Sequence, residues 1–223
     1  MSAALLVALL GLSWMTRRML WSFGALARVL RLPGNLVHEL AHAIVTLACG
    51  FTVVGFSVSA TDPEGRGGVQ PGRAWAPWAR SWTANLLSPV APVAAGWAGL
   101  AALRGWGELP GLPQTLAALV PVLSSAPVSR WQAWVSVVLA MSVIAELSPS
   151  DIDLRIWRWP ALALVTLVAA AWFLGEKASP GAVTTVIHRV DAVLAPSLAS
   201  ALAMGAWAAA VMLPLAVIAR WSR

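Results

Sequence analysis

The chain has 223 residues, of which 59% are hydrophobic and only 11% charged, with a mean hydropathy of +0.76. A soluble globular domain carries about 25% charged residues, so this composition excludes a protein whose whole surface faces water. The net charge of +6 is spread as single or paired arginines at the ends of apolar runs, which argues against a nucleic-acid-binding protein and is typical of contacts with lipid head groups. We therefore predict an integral, all-α polytopic membrane protein that has the lipid bilayer as its main partner.

Six apolar runs approach the roughly 20 residues that cross a bilayer. They lie at about 3–24, 33–50, 82–103, 131–147, 160–175 and 192–219. The Gly- and Pro-punctuated segment at 104–129 has an apolar middle that is too short to span, so we predict a re-entrant or interfacial stretch there. No basic residue precedes the first run, which favours a membrane helix over a cleaved signal peptide. We expect five to six transmembrane helices.

The second run, PGNLVHELAHAIVTLACG at 33–50, is predicted to be a helix. Pro33 and Gly34 precede it, Asn35 is a suitable N-cap, and no breaker follows before Gly50. The run also contains Cys49, which is the single cysteine of the chain and so excludes an internal disulfide. We predict that this helix begins just after the Pro–Gly pair, with Asn35 as its N-cap.

This helix carries two of the three histidines of the chain. His38 and His42 are four residues apart, so they lie one above the other on one helix face. Two imidazoles in that arrangement bind one Zn²⁺, and Glu39 is placed beside them as a general base, as in the HExxH zinc hydrolases. Packing of the histidines through hydrogen bonds to other helices is the alternative. It does not account for Glu39, because ionisable groups within a span are costly and usually functional.

Between the second and third runs the sequence changes character. GFTVVGFSVSA is rich in β-branched and aromatic residues, TDPEGRGG is a turn signal, and VQPGRAW is suited to a returning strand. We predict a small β-hairpin at 51–73 at the membrane surface, with an irregular loop as the alternative. The third run then contains a polar residue, Asn85, which either holds a substrate backbone or an oxyanion, or packs between helices.

A catalytic zinc site has three protein ligands, so a third must come from elsewhere in the chain. His188 lies in a polar connector, VTTVIHRVD, and we expect it on the surface. The nine acidic residues of the chain are a richer source, since Glu146, Asp151 and Asp153 follow closely after the run at 131–147.

The same acidic segment also has the pattern of a helix start. Ser148 as N-cap, Pro149 at the first helical position and Asp151 at the third would begin the next helix. This interpretation leaves Asp153 without a role.

The motifs PGNLVHELAH at 33–42 and PSDID at 149–153, with a β-like segment between them, resemble the site-2 protease family of intramembrane metalloproteases, and most closely its small prokaryotic members. The resemblance implies that His38 and His42 are zinc ligands, that Glu39 is the catalytic base and that Asp153 is the third ligand. It covers about 20–160, which we interpret as the metal-binding core of a single domain, 1–223, completed by C-terminal helices at about 160–223.

The second motif departs from the wider family pattern. Family members often have an asparagine before the proline and a glycine after the aspartate, whereas here Glu146 stands three residues before Pro149 and Leu154 follows Asp153. Asp151 therefore stays an alternative third ligand.

The resemblance implies a zinc-dependent metalloendopeptidase that hydrolyses membrane-protein or peptide substrates within or beside the bilayer, with its site open toward the cytoplasm. Arginines near both motifs favour the same orientation by the positive-inside bias, so we expect an integral protein of a prokaryotic cell membrane. No oligomeric state is predicted. The alternative function is a non-catalytic membrane protein that retains the zinc site as a structural or regulatory subunit. A transporter is disfavoured, because the charges concentrate at two motifs.

Overall fold

The computed structural model describes residues 1–58, 68–78, 81–110, 129–148, 150–179 and 181–221. Helices make up most of this part of the chain. They are α1 Ser2–Leu20, α2 Ala25–Ala48, α3 Ser81–Leu87, α4 Ala91–Trp106, α5 Trp131–Ala145, α6 Asp151–Ala178 and α7 Ala182–Trp221. Short 3-10 turns at Trp21–Phe23 and Ser88–Val90 precede α2 and α4, and the strands β1 Phe51–Ser57 and β2 Gly68–Ala74 follow α2. The predicted combination of a helical fold with one small hairpin is confirmed.

Four helical stretches in the described part of the chain are long and apolar enough to cross a membrane. They are Ser2–Phe23, Ser81–Trp106, Asp153–Gly175 and Val183–Ala219, and each overlaps a predicted span. Helix α5 is apolar but has only 15 residues, or about 22 Å at 1.5 Å per residue. Helix α2 has 24 residues, yet its charged and imidazole side chains keep it out of this group. Most of the predicted re-entrant segment, 111–128, lies outside the described residues.

Helix α5 lies at the centre of the bundle, where it contacts α1, α2, α4 and α7. Every residue from Ala140 to Ala145, at its C-terminal end, is buried. These residues are small or apolar, which suits a central position. The core contains the largest completely buried apolar side chains, of which Ile144 lies on α5 itself: Leu9, Leu20, Leu100, Ile144, Leu147, Met204 and Met212. Helix α6 lies at the periphery, against α3, the Ser88–Val90 turn and α7. The end of α5 and the start of α6 both lie beside α2, because Glu146 and Asp153 each contact His38.

Helix α2 begins before the Pro33–Gly34 pair and not after it, so the predicted N-cap Asn35 is wrong. The helix starts at Ala25, and Pro33 lies inside it. A Cβ on Gly34 would lie 2.0 Å from the carbonyl oxygen of Ser142 on α5, and the Gly34 N–H donates to Ser142 Oγ at 2.6 Å. The Pro–Gly pair thus marks a close crossing of α2 over α5, which a local pattern of breaker residues does not distinguish from a helix start.

Strands β1 and β2 pair antiparallel, as the predicted hairpin requires. Phe56 lies opposite Val69 and Ser57 opposite Gly68, with irregularities in the register nearer Phe51. The predicted turn lies in 59–67, outside the described residues. The hairpin follows α2 directly in the chain. After β2, the Trp75 N–H donates to the carbonyl of Gly50 at 2.8 Å, just beyond the end of α2. The strands are thereby held next to the C-terminal end of α2.

Helix α6 begins two residues later than the helix start predicted at Ser148. Ser150 is the N-cap and forms a capping box with Asp153: Asp153 N–H donates to Ser150 Oγ at 3.1 Å and Ser150 N–H donates to Asp153 Oδ2 at 2.8 Å. Both serines have an aspartate three residues later, so local sequence supports either start. The backbone N–H of Ser148 instead donates to Ser13 Oγ of α1 at 3.2 Å. Pro149 lies outside the described residues.

Candidate metal centre

Three buried side chains from two helices meet at one point. His38 Nε2 lies 3.1 Å from His42 Nε2 on the next turn of α2. From the first turn of α6, Asp153 Oδ2 lies 3.6 Å from His38 Nε2 and Asp153 Oδ1 lies 3.4 Å from His42 Nε2. The structure thus brings together the three residues that the sequence named as metal ligands.

The separations between these atoms can be compared with a zinc site. Ligand atoms about 2.0–2.1 Å from a tetrahedral zinc ion lie about 3.3–3.4 Å from each other. The two imidazole nitrogens are 3.1 Å apart, and the two oxygens of the Asp153 carboxylate each lie close to one of them, Oδ1 3.4 Å from His42 Nε2 and Oδ2 3.6 Å from His38 Nε2. Two imidazole nitrogens and one carboxylate oxygen also form a donor set that zinc hydrolases use. The residues present therefore fit a zinc ion.

Hydrogen bonds on the far ring nitrogens orient both histidines. His38 Nδ1 lies 2.8 Å from the backbone carbonyl oxygen of Glu146. Because a carbonyl only accepts, this Nδ1 carries the proton, and in the neutral ring Nε2 keeps its lone pair. His42 Nδ1 lies 2.9 Å from Ser88 Oγ. A hydrogen bond on the nitrogen that faces away from the metal is typical of metal-binding histidines, whose rings it orients.

Asp153 serves two structures at once. Its Oδ2 accepts from the Ser150 hydroxyl and from the Ser150 N–H, both at 2.8 Å, while the same carboxylate faces the histidines. The helix cap therefore also sets the position of the acidic side chain. Asp151 is the first residue of α6, and its side chain lies outside the described residues. Among the described side chains the candidate metal cluster is His38, His42 and Asp153.

A cavity of about 920 Å³ joins the three side chains to the hairpin. Glu39, the predicted base, lines it beside His38 and is itself buried. Asn85 of α3 lines the same cavity, as do Phe51 of β1 and Val69 of β2. Thus the predicted base and the predicted substrate-binding amide share one space with the metal cluster. His188, in contrast, is exposed on α7, as expected.

The sequence missed a buried ion-pair group next to the cluster. Glu146 pairs with Arg17 of α1, whose Nη2 lies 3.2 Å from Oε2, and with the Nε of Arg31 of α2. From the sequence we expect the arginines to contact lipid head groups and Glu146 to be one of several candidate ligands. The available signal was an acidic residue at the end of an apolar run, where ionisable groups need a partner.

No family model, curated protein or solved structure matches the chain.

Proposed function

We propose that this protein is an intramembrane zinc metalloprotease of the site-2 protease type. The observation that carries the proposal is the meeting of His38, His42 and Asp153, with donor-atom separations of 3.1 to 3.6 Å, in the cavity that Glu39 also lines. A pair of helix histidines without function would not require a buried aspartate from a distant segment to face both ring nitrogens.

The distribution of side chains on α2 supports a membrane location. The face of α2 that points into the bundle is polar and includes Asn35, His38 and His42, whereas the exposed face carries Leu36 and Leu40. A helix in water has the opposite arrangement. A bilayer around the bundle would cover the apolar face. With α2 and α5 added to the four long apolar helices, the protein would have six membrane helices.

The proposed mechanism assigns a role to each residue. His38, His42 and Asp153 would hold the zinc ion, which as a Lewis acid polarises the scissile carbonyl and makes water a better nucleophile. Glu39 accepts a proton from the attacking water and delivers it to the leaving amine nitrogen. The hydrogen bonds to the two Nδ1 atoms keep the rings in place during this exchange.

The hairpin is the proposed binding surface for the substrate backbone. A transmembrane helix must unwind before cleavage, because its carbonyl groups are already hydrogen-bonded. Within the described residues, β1 and β2 pair only with each other, so an extended segment can add to either edge. Asn85 would contribute an amide to the same segment. Val53→Pro and Phe56→Pro should impair cleavage, and unchanged cleavage rates in both would contradict this role of the hairpin.

The orientation toward the cytoplasm of a prokaryotic cell is part of the proposal. Arg31, which precedes the first motif, does not support it, since this side chain is buried against Glu146. The exposed arginines that flank the two motifs, Arg28, Arg155 and Arg158, still favour it by the positive-inside bias. Single cysteines at these positions, in a chain with Cys49 replaced by alanine, should react with a membrane-impermeant reagent only from the cytoplasmic side.

Metal content is the first test. The purified full-length chain in detergent should contain about one zinc ion per molecule by elemental analysis, as a three-ligand catalytic site does. His42→Ala and Asp153→Asn should lose most of it. His188→Ala is the matched control, because it removes the third histidine of the chain from an exposed position on α7 and should leave the zinc content unchanged. A wild-type protein without bound zinc would contradict the proposal.

Proteolysis is the second test. Reconstituted protein should cleave a model transmembrane substrate in liposomes. A zinc chelator should stop the cleavage, and added Zn²⁺ should restore it. If zinc-loaded protein cleaves none of a panel of transmembrane and extended peptides, the assignment as a protease fails even though the metal site stands.

A further inference from the structure

The C-terminal end of α5 is held by side chains from two other helices. Glu146 is the C-cap residue of α5 and directly follows its last residue, Ala145. Its carboxylate contacts Arg31 of α2 and lies 3.2 Å from Nη2 of Arg17 of α1. Arg17 Nε also donates to the carbonyl of Ala145 at 2.8 Å, and that carbonyl belongs to the last turn of the helix, where carbonyl groups have no intrahelical partner. The position of this helix end is thus tied to α1 and α2.

The same helix end supplies the acceptor for a candidate zinc ligand. The backbone carbonyl of Glu146 accepts from His38 Nδ1 at 2.8 Å, and this bond sets the direction in which His38 Nε2 points. His38 and Arg31 lie on the same helix, so the carboxylate and the carbonyl of Glu146 both bind to α2. Glu146 is therefore attached to α2 at two points, through its carboxylate and through its carbonyl.

Stability alone is a poor explanation for these buried charges. Glu146 and Arg31 are only 6% and 7% exposed. Burying an ion pair costs much of what the attraction returns, and apolar residues of similar volume are often as stable or more so. The cost is larger where a bilayer surrounds the protein. A group that fixes the orientation of a metal ligand gives these charges a function that an apolar replacement cannot provide.

We propose that Glu146, held by Arg17 and Arg31, is a positioning residue for the metal site. The role depends on the proposed zinc function and adds to it a residue that does not touch the metal. Glu146 acts in two ways. It fixes the acceptor of His38, and its negative charge offsets one of the two positive charges of Arg17 and Arg31, which line the same cavity as the metal cluster. Without its carboxylate, two positive charges would face a site that is to bind a dication.

Metal affinity of the full-length chain in detergent tests this role. Glu146→Gln keeps the backbone carbonyl and removes the negative charge, and it should weaken Zn²⁺ and Co²⁺ binding by about 10–100-fold in competition with a chelator. The Co²⁺ absorption spectrum should change as well, because it reports the direction of the histidine ligand. Glu146→Asp restores the charge and should recover part of the affinity.

Glu108→Gln is the matched control. Glu108 pairs with Arg130 at the opposite end of α5, where both side chains are exposed, so the same exchange there should leave affinity and spectrum unchanged. If Glu146→Gln does not fold, Arg17→Gln takes its place. That variant removes the bond to Ala145 and keeps Arg31, so the Co²⁺ spectrum should change as in Glu146→Gln. Loss of the Arg17 charge alone would raise metal affinity and leave the spectrum unchanged, and that result would contradict the positioning role.

The outcomes separate this inference from the proposed function. Wild-type affinity and an unchanged Co²⁺ spectrum in Glu146→Gln, or in Arg17→Gln where the first variant does not fold, would overturn the positioning role and leave the zinc site intact. A wild-type chain that binds neither metal would overturn both. Lower thermal stability with unchanged affinity and spectrum would show that the ion pairs only stabilise the bundle, which also overturns the positioning role.

Discussion

Helices α2 and α7 contribute opposite kinds of side chain to the same bundle. The buried polar residues of α2 are Arg31, Asn35, His38, Glu39, His42 and Thr46. The buried residues of α7 are almost all small or flexible apolar ones: Ala195, Leu198, Ala201, Ala203, Met204, Gly205, Ala208, Ala209, Met212 and Ala216. Small residues let neighbouring helices approach closely. The inner face of α7 is therefore suited to its packing against α1, α4 and α5.

The difference between the two helices has an energetic consequence. Buried polar groups cost free energy unless each finds a partner, and the partners of α2 come from other elements, such as Glu146, Ser88 and Asp153. The buried side chains of α7 are apolar and gain stability from close packing. We therefore expect substitutions on the inner face of α2 to change the chemistry more than the stability, and substitutions on the inner face of α7 to do the reverse.

The largest expected effect is on the α2 side. Glu39→Gln should lower the rate of substrate cleavage by about 10²–10⁴-fold, because it removes the proposed general base. Zinc content and thermal unfolding should stay at wild-type values. Elemental analysis and a cleavage assay on the same preparation measure both quantities. Full activity in Glu39→Gln would contradict the general-base role of Glu39 and the expected difference between the two helices.

The second largest effect is on the α7 side. Met212→Ala truncates a completely buried side chain and leaves a cavity. It should lower the free energy of unfolding by about 2–5 kcal/mol, and the metal affinity of the folded protein should be unchanged. Leu213→Ala is the control, since Leu213 is 56% exposed and its truncation should cost about 0.5 kcal/mol or less. Denaturant unfolding in detergent measures both. Equal losses in the two variants would show that α7 does not pack as described.

A third comparison uses two serine hydroxyls. Ser88→Ala removes the group beside His42 Nδ1 and should weaken metal binding by about 10–100-fold. Ser200→Ala removes the acceptor on α7 of a hydrogen bond from Arg104, 2.9 Å long, and should leave metal affinity unchanged. Chelator competition measures both variants. If both serines affect metal affinity alike, the expected difference between the hydrogen-bond partners of α2 and those of α7 is wrong.

The smallest expected effect is at the start of α6. Ser150→Ala removes the N-cap hydroxyl and should lower the free energy of unfolding by about 0.5–2 kcal/mol. Because Ser150 also donates to Asp153 Oδ2, metal affinity should fall with it, which neither an α7 variant nor a simple cap would cause. Ser150→Thr keeps the hydroxyl and should retain most of both properties. A loss of stability without any loss of affinity would separate the cap from the site.

The two motifs differ in how far local sequence determined them. His38 and His42 share a face because the helical period places residues four apart above each other, so this part of the site follows from the sequence alone. The start of α6 does not. Ser148 and Ser150 are equally good caps by pattern, and contacts with Ser13 of α1 and with the histidines of α2 select Ser150. That selection places Asp153 at the cluster.

The Pro33–Gly34 pair and Glu146 are two further features that local sequence did not determine. Proline followed by glycine is locally a breaker, and only the approach of Ser142 from α5 explains why the pair lies inside a helix. Arg17 and Arg31 look locally like interfacial residues, and only the fold brings Glu146 between them.

Composition and periodicity by themselves determined the helical, apolar character of the chain, the hairpin and the histidine face, because each depends on neighbours within a few residues. The tertiary structure alone decided that Asp153 faces the histidines, where two helices begin and which charges are buried. Those features depend on contacts between residues more than 100 positions apart, such as His38 with Glu146, and no local pattern encodes such contacts.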